Sequence, residues 1–144
     1  MKIRRAKASD ANRCAKISRI RTAEELKKLL KQDDTYWLVI EDDSGTVVGL
    51  GIIHFWAWNK MVWVWDLTID EKERGKGYGR ALLKGMLQAA KRAGARVMMD
   101  FGPPNPHDCS LAELLVYNGF RVCGTNDRWF DHKYPTAVFY GYDL

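Results

Sequence analysis

Residues 61–93 read MVWVWDLTIDEKERGKGYGRALLKGMLQAAKRA, and this stretch decides the fold. Met61–Ile69 is apolar on both alternating faces until Asp66 and Thr68, the pattern of a strand buried on both sides. Residues 70–79 form a charged, glycine-rich connection. An amphipathic helix follows, with Leu82, Leu83, Met86, Leu87 and Ala90 on one stripe and Arg80, Lys84, Gln88 and Lys91 on the other. Gly94 falls where a left-handed residue would stop that helix.

Gly75, Gly77 and Gly79 lack side chains, so backbone N–H groups at the head of the helix can approach a ligand closely. Unpaired helix-start donors and the helix dipole attract an anion there. Arg74, Lys76 and Arg80 add positive charge, which together describes a cradle for a pyrophosphate. Glycine can also serve such a turn for shape alone, but the order strand, Arg-Gly-Lys-Gly-Tyr-Gly, helix narrows the reading. The spacing Gly-x-Gly-x-Gly is not the dinucleotide fingerprint, and Lys91 and Arg92 stand near where its acidic residue would fall. The Gly-Lys-Ser/Thr of a P-loop is also missing.

Moving outward toward the N-terminus, residues 57–60 turn back into residues 46–56, a second strand. Ser44-Gly45 is a hairpin turn that joins it to a β-rich run over residues 35–41. Thr22-Ala23-Glu24-Glu25 is a capping box and opens a helix to about residue 31. Ser9-Asp10 can cap an earlier helix running to about residue 20, and residues 1–5 alternate as a first strand.

On the other side, residues 96–101 form a short strand, and residues 102–106 a proline-stiffened loop. Ser110-Leu111-Ala112-Glu113 is a second capping box, opening a helix that ends at Gly119. Residues 120–124 and 135–142 are the last two strands, joined by a polar loop. The order is that of an α/β fold with a mixed, largely antiparallel sheet of about seven strands and about four helices.

The 144 residues suit one domain with a single substantial core, with no repeat or low-complexity tract. No run of 18 apolar residues suggests a membrane span, and the start, MKIRRAKASD, lacks the apolar stretch of a signal peptide. Cys14, Cys109 and Cys123 are odd in number and fit no metal spacing, so free thiols in a reducing cytoplasm are expected. His54, His107 and His132 also lack ligand spacing, and no metal site is expected. His107-Asp108-Cys109 looks like a nucleophile set, but a triad is assembled in space rather than from sequence neighbours. Net charge is +5, with basic clusters at residues 2–7, 27–31 and 74–80, of which only the last coincides with a glycine turn. A nucleic-acid binder would use those faces, but no groove-reading motif accompanies them.

The glycine stretch carries a resemblance. Leu67-Thr68-Ile69, followed after four residues by Arg74-Gly75-Lys76-Gly77-Tyr78-Gly79, resembles the acetyl-CoA motif of the GNAT superfamily of N-acetyltransferases, with Arg74, Gly77 and Gly79 in its fixed places. Tyr117-Asn118-Gly119-Phe120 is similar to the family's helix end in Gly-Phe. Streptothricin and polyamine acetyltransferases are the most similar branch. The resemblance implies that the two strands flanking the site splay apart centrally and admit a pantetheine arm. Leu67, Thr68 and Ile69 would then meet acetyl-CoA at the strand end, and Arg74, Gly75, Lys76, Gly77, Tyr78, Gly79 and Arg80 would hold its pyrophosphate. The Leu67 N–H would act as the oxyanion donor.

What the resemblance implies is direct acetyl transfer to a primary amine of a small molecule or peptide. Such an amine must lose a proton before attack. Related strands carry Glu-Asp, whereas this chain reads Trp65-Asp66, so Asp66 is the first candidate base and Asp100 the second. A strand Asp can equally bond a neighbouring backbone, and Asp100 can cap the turn that follows it. The family's proton-donating tyrosine falls on Leu115, and Tyr117 lies about 200° further around the helix. Trp56, Trp58, Trp63 and Trp65 line a pocket or form core, with Trp63, Trp65 and Leu67 expected on one face. A module that binds CoA or acyl-CoA without turnover is the alternative. Homodimerisation through the last strands, common in the superfamily, is also implied; a nucleic-acid or membrane partner is not.

Overall fold

The computed structural model describes residues 1–18, 20–102, 110–130 and 136–144. The strands are β1 (Lys2–Arg5), β2 (Thr35–Glu41), β3 (Val47–Trp56), β4 (Met61–Ile69), β5 (Val97–Gly102), β6 (Arg121–Asn126) and β7 (Ala137–Asp143). The helices are α1 (Ala11–Ser18), α2 (Ala23–Leu29), α3 (Tyr78–Arg92) and α4 (Ser110–Tyr117). One sheet runs in the order β1-β2-β3-β4-β5-β7-β6. All neighbouring strands are antiparallel except β4 and β5, which are parallel because α3 carries the chain back across the sheet between them.

Local chemistry sets the helix ends. The Glu25 N–H donates to the Thr22 hydroxyl at 3.2 Å and the Thr22 N–H to the Glu25 carboxylate at 2.7 Å, the reciprocal box expected there. Thr22 must be extended to cap α2 (φ −77°, ψ 161°), so α1 stops at Ser18 rather than running to residue 20. Asp10 acts one turn earlier than expected: its carboxylate accepts the Lys7 N–H at 2.7 Å and holds the Arg4 guanidinium. Gly94 ends α3 at φ 81°. The proline loop, the His107-Asp108-Cys109 set and the Ser110 side chain lie outside the described residues.

Helices cover the sheet on both faces. On one, α3 lays Leu82, Leu83, Met86 and Ala90 on Ile53, Val62, Val64 and Met98. Complete burial of Leu82 and Leu83 is worth about 1.5–3 kcal/mol each. Gly51 lets the helix come this close, since a Cβ there would lie 2.5 Å from the Met86 sulfur. On the other face, α1 and α2 bury Cys14, Ile17, Leu26 and Leu29 against Trp37, Val39, Leu50 and Ile52. Among the described residues, no helix is long and apolar enough to cross a membrane.

A bulge changes one expectation. Ile52 faces Asp66 but Ile53 faces Val64, so Trp65 is an extra residue in β4. Strict alternation would put Trp63, Trp65 and Leu67 on one face. The extra residue resets the alternation instead. Asp66 joins Trp65 on the α1–α2 face, and Leu67 turns to the α3 core. The register shift thereby moves a carboxyl to the opposite side of the sheet from the glycine turn's helix.

Candidate active site

The site starts where two strands part. β4 pairs with β5 only over Met61, Val62 and Trp63, opposite Val97, Met98 and Met99. Beyond that, residues 64–69 keep β3 on one side and, among the described residues, have no paired strand on the other, so the backbone there can bind a ligand as a strand would. The split opens into a groove of about 450 Å³. Leu67, Thr68 and Ile69 form one wall, the glycine turn and the head of α3 form its end, and Leu111 and Leu114 of α4 lie opposite.

The end wall is a donor cradle. Gly77 caps α3 in a left-handed conformation (φ 87°, ψ −2°), and the first helical bond runs from the Ala81 N–H to the Gly77 carbonyl at 3.1 Å. The N–H groups of Tyr78, Gly79 and Arg80 therefore have no helical acceptor. No acidic side chain in the first turn of α3 satisfies them, and Arg80 and Arg74 line the same space. The turn is braced from behind: Arg74 Nε donates to the Ile69 carbonyl at 3.3 Å, and Asp70 receives Arg13 of α1 at 2.6 Å. Lys76 bonds Glu73, itself at the groove's edge, at 2.8 Å. These residues fit a diphosphate bound by backbone amides.

The fold and this geometry agree with a match across most of the chain: the acetyltransferase (GNAT) family model covers residues 6–115. The chain belongs to the GNAT family. Among solved structures it is similar to the ribosomal-protein-alanine N-acetyltransferase of Brucella melitensis (20% identity, TM-score 0.88, all of both chains). It is similar also to a spermidine N-acetyltransferase chimera of Vibrio cholerae and human sequence (15%, 0.84, covering 98% of this chain and 94% of that one). Ard1 of Thermoplasma volcanium is a third (15%, 0.84, covering 99% and 97%). At these identities the likeness is one of fold. No curated protein sequence matches the chain closely enough to count as a relative. GNAT enzymes in general use acetyl-CoA, and among the described residues no group of three or more His, Cys, Asp or Glu could hold a metal ion.

Two buried carboxyls flank the GNAT split. Asp66 is 5% exposed; its Oδ2 accepts the Ser18 hydroxyl and its Oδ1 the Thr68 hydroxyl, both at 2.6 Å. Burial raises its pKa above the ordinary carboxylate value, against the pull of Ser18, Thr68 and the Arg21 guanidinium 3.9 Å away. Asp100, on β5, is 4% exposed, and among the described residues it accepts the Phe101 N–H at 2.7 Å; the turn it could cap runs on outside the described residues. Burial pushes its pKa up to about 7. Tyr117 is 85% exposed on the last turn of α4, whereas Leu115 is fully buried in the α3 core.

The tryptophans divide between two roles. Trp65 stacks on His54 (4.3 Å, 7°) beneath Arg21, and Trp63 stacks on Phe139 (5.8 Å, 17°) beside Phe101 and Trp129. Trp58 lies exposed on the β3–β4 turn. Ser18, Arg21, Arg13 and the Phe101–Trp129–Phe139 cluster were not visible as site residues in the sequence. Ser18 reaches Asp66 across 48 positions, and no local spacing encodes that contact.

The cradle makes a direct prediction. A branched side chain at Gly77 finds open space but a disfavoured backbone, worth about 1–3 kcal/mol. If the turn keeps its shape, the fold is weakened by that amount; if it relaxes, the amides lose their aim. Gly77→Val is therefore expected to lower either the melting temperature or acetyl-CoA affinity, the latter by about tenfold or more, read by calorimetry on the same sample.

Proposed function

We propose that this GNAT protein transfers an acetyl group from acetyl-CoA directly to a primary amine of a small molecule or peptide. One observation supports the reading most: the unpaired edge at Leu67–Thr68–Ile69 and the amide cradle at the head of α3 line the same groove. Acetyl-CoA supplies the activated acyl group. The cradle and Arg80 hold its charged end, and the free edge of β4 aligns the rest so that the Leu67 N–H meets the carbonyl oxygen, where charge develops during attack.

The amine reaches the split from the α1–α2 face, because the bulge has put Asp66 there. Asp66 takes the nitrogen's proton. Its Ser18 and Thr68 partners hold it in place, and its burial makes it a stronger base than a surface carboxylate. Trp63, Phe101, Trp129 and Phe139 extend that face with flat apolar surface beside the acid, which suits an acceptor carrying a planar or apolar group. Two copies associate through β6, the outer edge strand, exposed along its whole length.

Incubation with acetyl-CoA and a panel of aliphatic and aromatic amines, following free thiol, tests the reaction. Thiol release that depends on the amine is expected. No release and no heat on acetyl-CoA titration would end the proposal. Heat without release on any amine would instead identify a CoA-binding sensor, a reading favoured by the apolar Leu115 where GNAT relatives place a hydroxyl.

A further inference from the structure

Asp100 stands at the point where the strands separate. Met99 is the last β5 residue paired with β4, so Asp100 is the first beyond the fork. It faces Tyr140 of β7 in register, and its neighbour Met98 belongs with Tyr140 and Leu115 to the cluster beneath α3 and α4. Its side chain therefore lies on the α3–α4 side, the side of the groove, whereas Asp66 lies on the other. Its Oδ2 is buried with no hydrogen-bond partner, the only carboxyl oxygen of this kind among the described residues. A buried polar atom without a partner is costly and calls for a reason.

We infer that Asp100 is the acid that protonates the departing thiolate, doing from β5 what Leu115 on α4 cannot. The inference rests on the acetyl-transfer reading above. In the step, the amine nitrogen bonds to the acyl carbon and the carbon–sulfur bond breaks, leaving its electron pair on sulfur. The Asp100 proton moves to that sulfur, and the proton lost by nitrogen leaves through Asp66. Solvent reprotonates Asp100 after the products depart. An unpartnered O–H at the fork has its acceptor only when the sulfur is present, which accounts for the orphan oxygen.

The energetics suit the transfer. Desolvation keeps Asp100 half-protonated near pH 7, with a smaller push from the Asp66 charge across the split, and Asp100 in turn raises the Tyr140 phenol. The α3 and α4 residues packed on this side, such as Leu83 and Leu115, are apolar. A thiol ordinarily titrates at about 8.5, so the proton moves downhill.

Infrared difference spectra of wild type against Asp100→Asn, recorded across pH with and without CoA, read the acid directly. A protonated-carboxyl band is expected that fades as pH passes about 7 and shifts when CoA binds. With any amine that turns over, Asp100→Asn and Asp100→Leu are both expected to lower kcat by about tenfold to a hundredfold while the KM for acetyl-CoA stays within about twofold. A band indifferent to CoA, a carboxyl already ionised a unit below that pH, or unchanged kcat in folded Asp100→Leu would overturn the inference. Failure of wild type to bind CoA at all would instead overturn the reading of the groove, and the acid's role with it.

Discussion

Above pH 7 the Asp100→Leu protein is expected to be more stable than wild type by up to about 4 kcal/mol, with the advantage shrinking as pH falls toward 4. The sign follows from linkage. Unfolded, the Asp100 carboxyl titrates near its ordinary 3.8; folded, burial raises it to about 7. A carboxyl raised by folding gives its full share of stability below the unfolded value and loses it as pH climbs through the folded one. The difference of about three units, at about 1.4 kcal/mol each, sets the size, and water entering the split would reduce it. Leucine removes both the charge and the unpartnered oxygen at little change in volume. Urea melts of both proteins at about pH 4, 6 and 8 measure the difference. A gap that stays constant across the three would mean that Asp100 titrates at the same pH folded and unfolded, so that folding does not raise its pKa. The same variant is expected to turn over about tenfold to a hundredfold more slowly, so stability would have been given up for a working proton.

The strand, glycine turn and helix were legible in the sequence because their signals are local. A run of apolar residues, three spaced glycines and a stop at Gly94 each describe neighbours in the chain, and the structure keeps the strand, the turn and the helix end that they point to. The Thr22–Glu25 box was legible for the same reason. The face of Asp66 was not. It depends on whether β4 carries an extra residue opposite Ile52 and Ile53, and nothing inside MVWVWDLTI says so, since the register is settled by pairing with a strand ten to fifteen residues earlier. The partners of Asp66 were hidden similarly: Ser18 ends α1, Arg21 lies between α1 and α2, and both meet the carboxyl only once the helices dock on the sheet. Asp100 shows a third kind of silence. An Asp before Phe-Gly-Pro-Pro reads equally well as a turn cap, and only the parting of two strands leaves one of its oxygens alone. The aromatic cluster joins Trp63 to Phe139 across three strands, which no periodicity within one strand could signal.

Asp66→Asn is expected to lower kcat by about a hundredfold while leaving acetyl-CoA affinity within about twofold. The substitution keeps the shape and most of the contacts. The amide oxygen can still accept one of the two hydroxyls, and the other can reverse to accept from the amide nitrogen, so the fold loses little. What it removes is the capacity to take a proton. Acetyl-CoA binding should be spared because the cradle belongs to the α3 end of the groove, while the bulge has set Asp66 on the opposite face of the sheet. Ser18→Ala separates the base from its support. Losing the Ser18 hydroxyl removes the strongest of the bonds that hold the Asp66 pKa down, so that pKa should rise further, and the acidic limb of the kcat profile should move to higher pH with activity recovered above it. A structural aspartate would give a different result: Ser18→Ala and Asp66→Asn would both lower the melting temperature, neither would move the profile, and the amine would have to lose its proton to water instead.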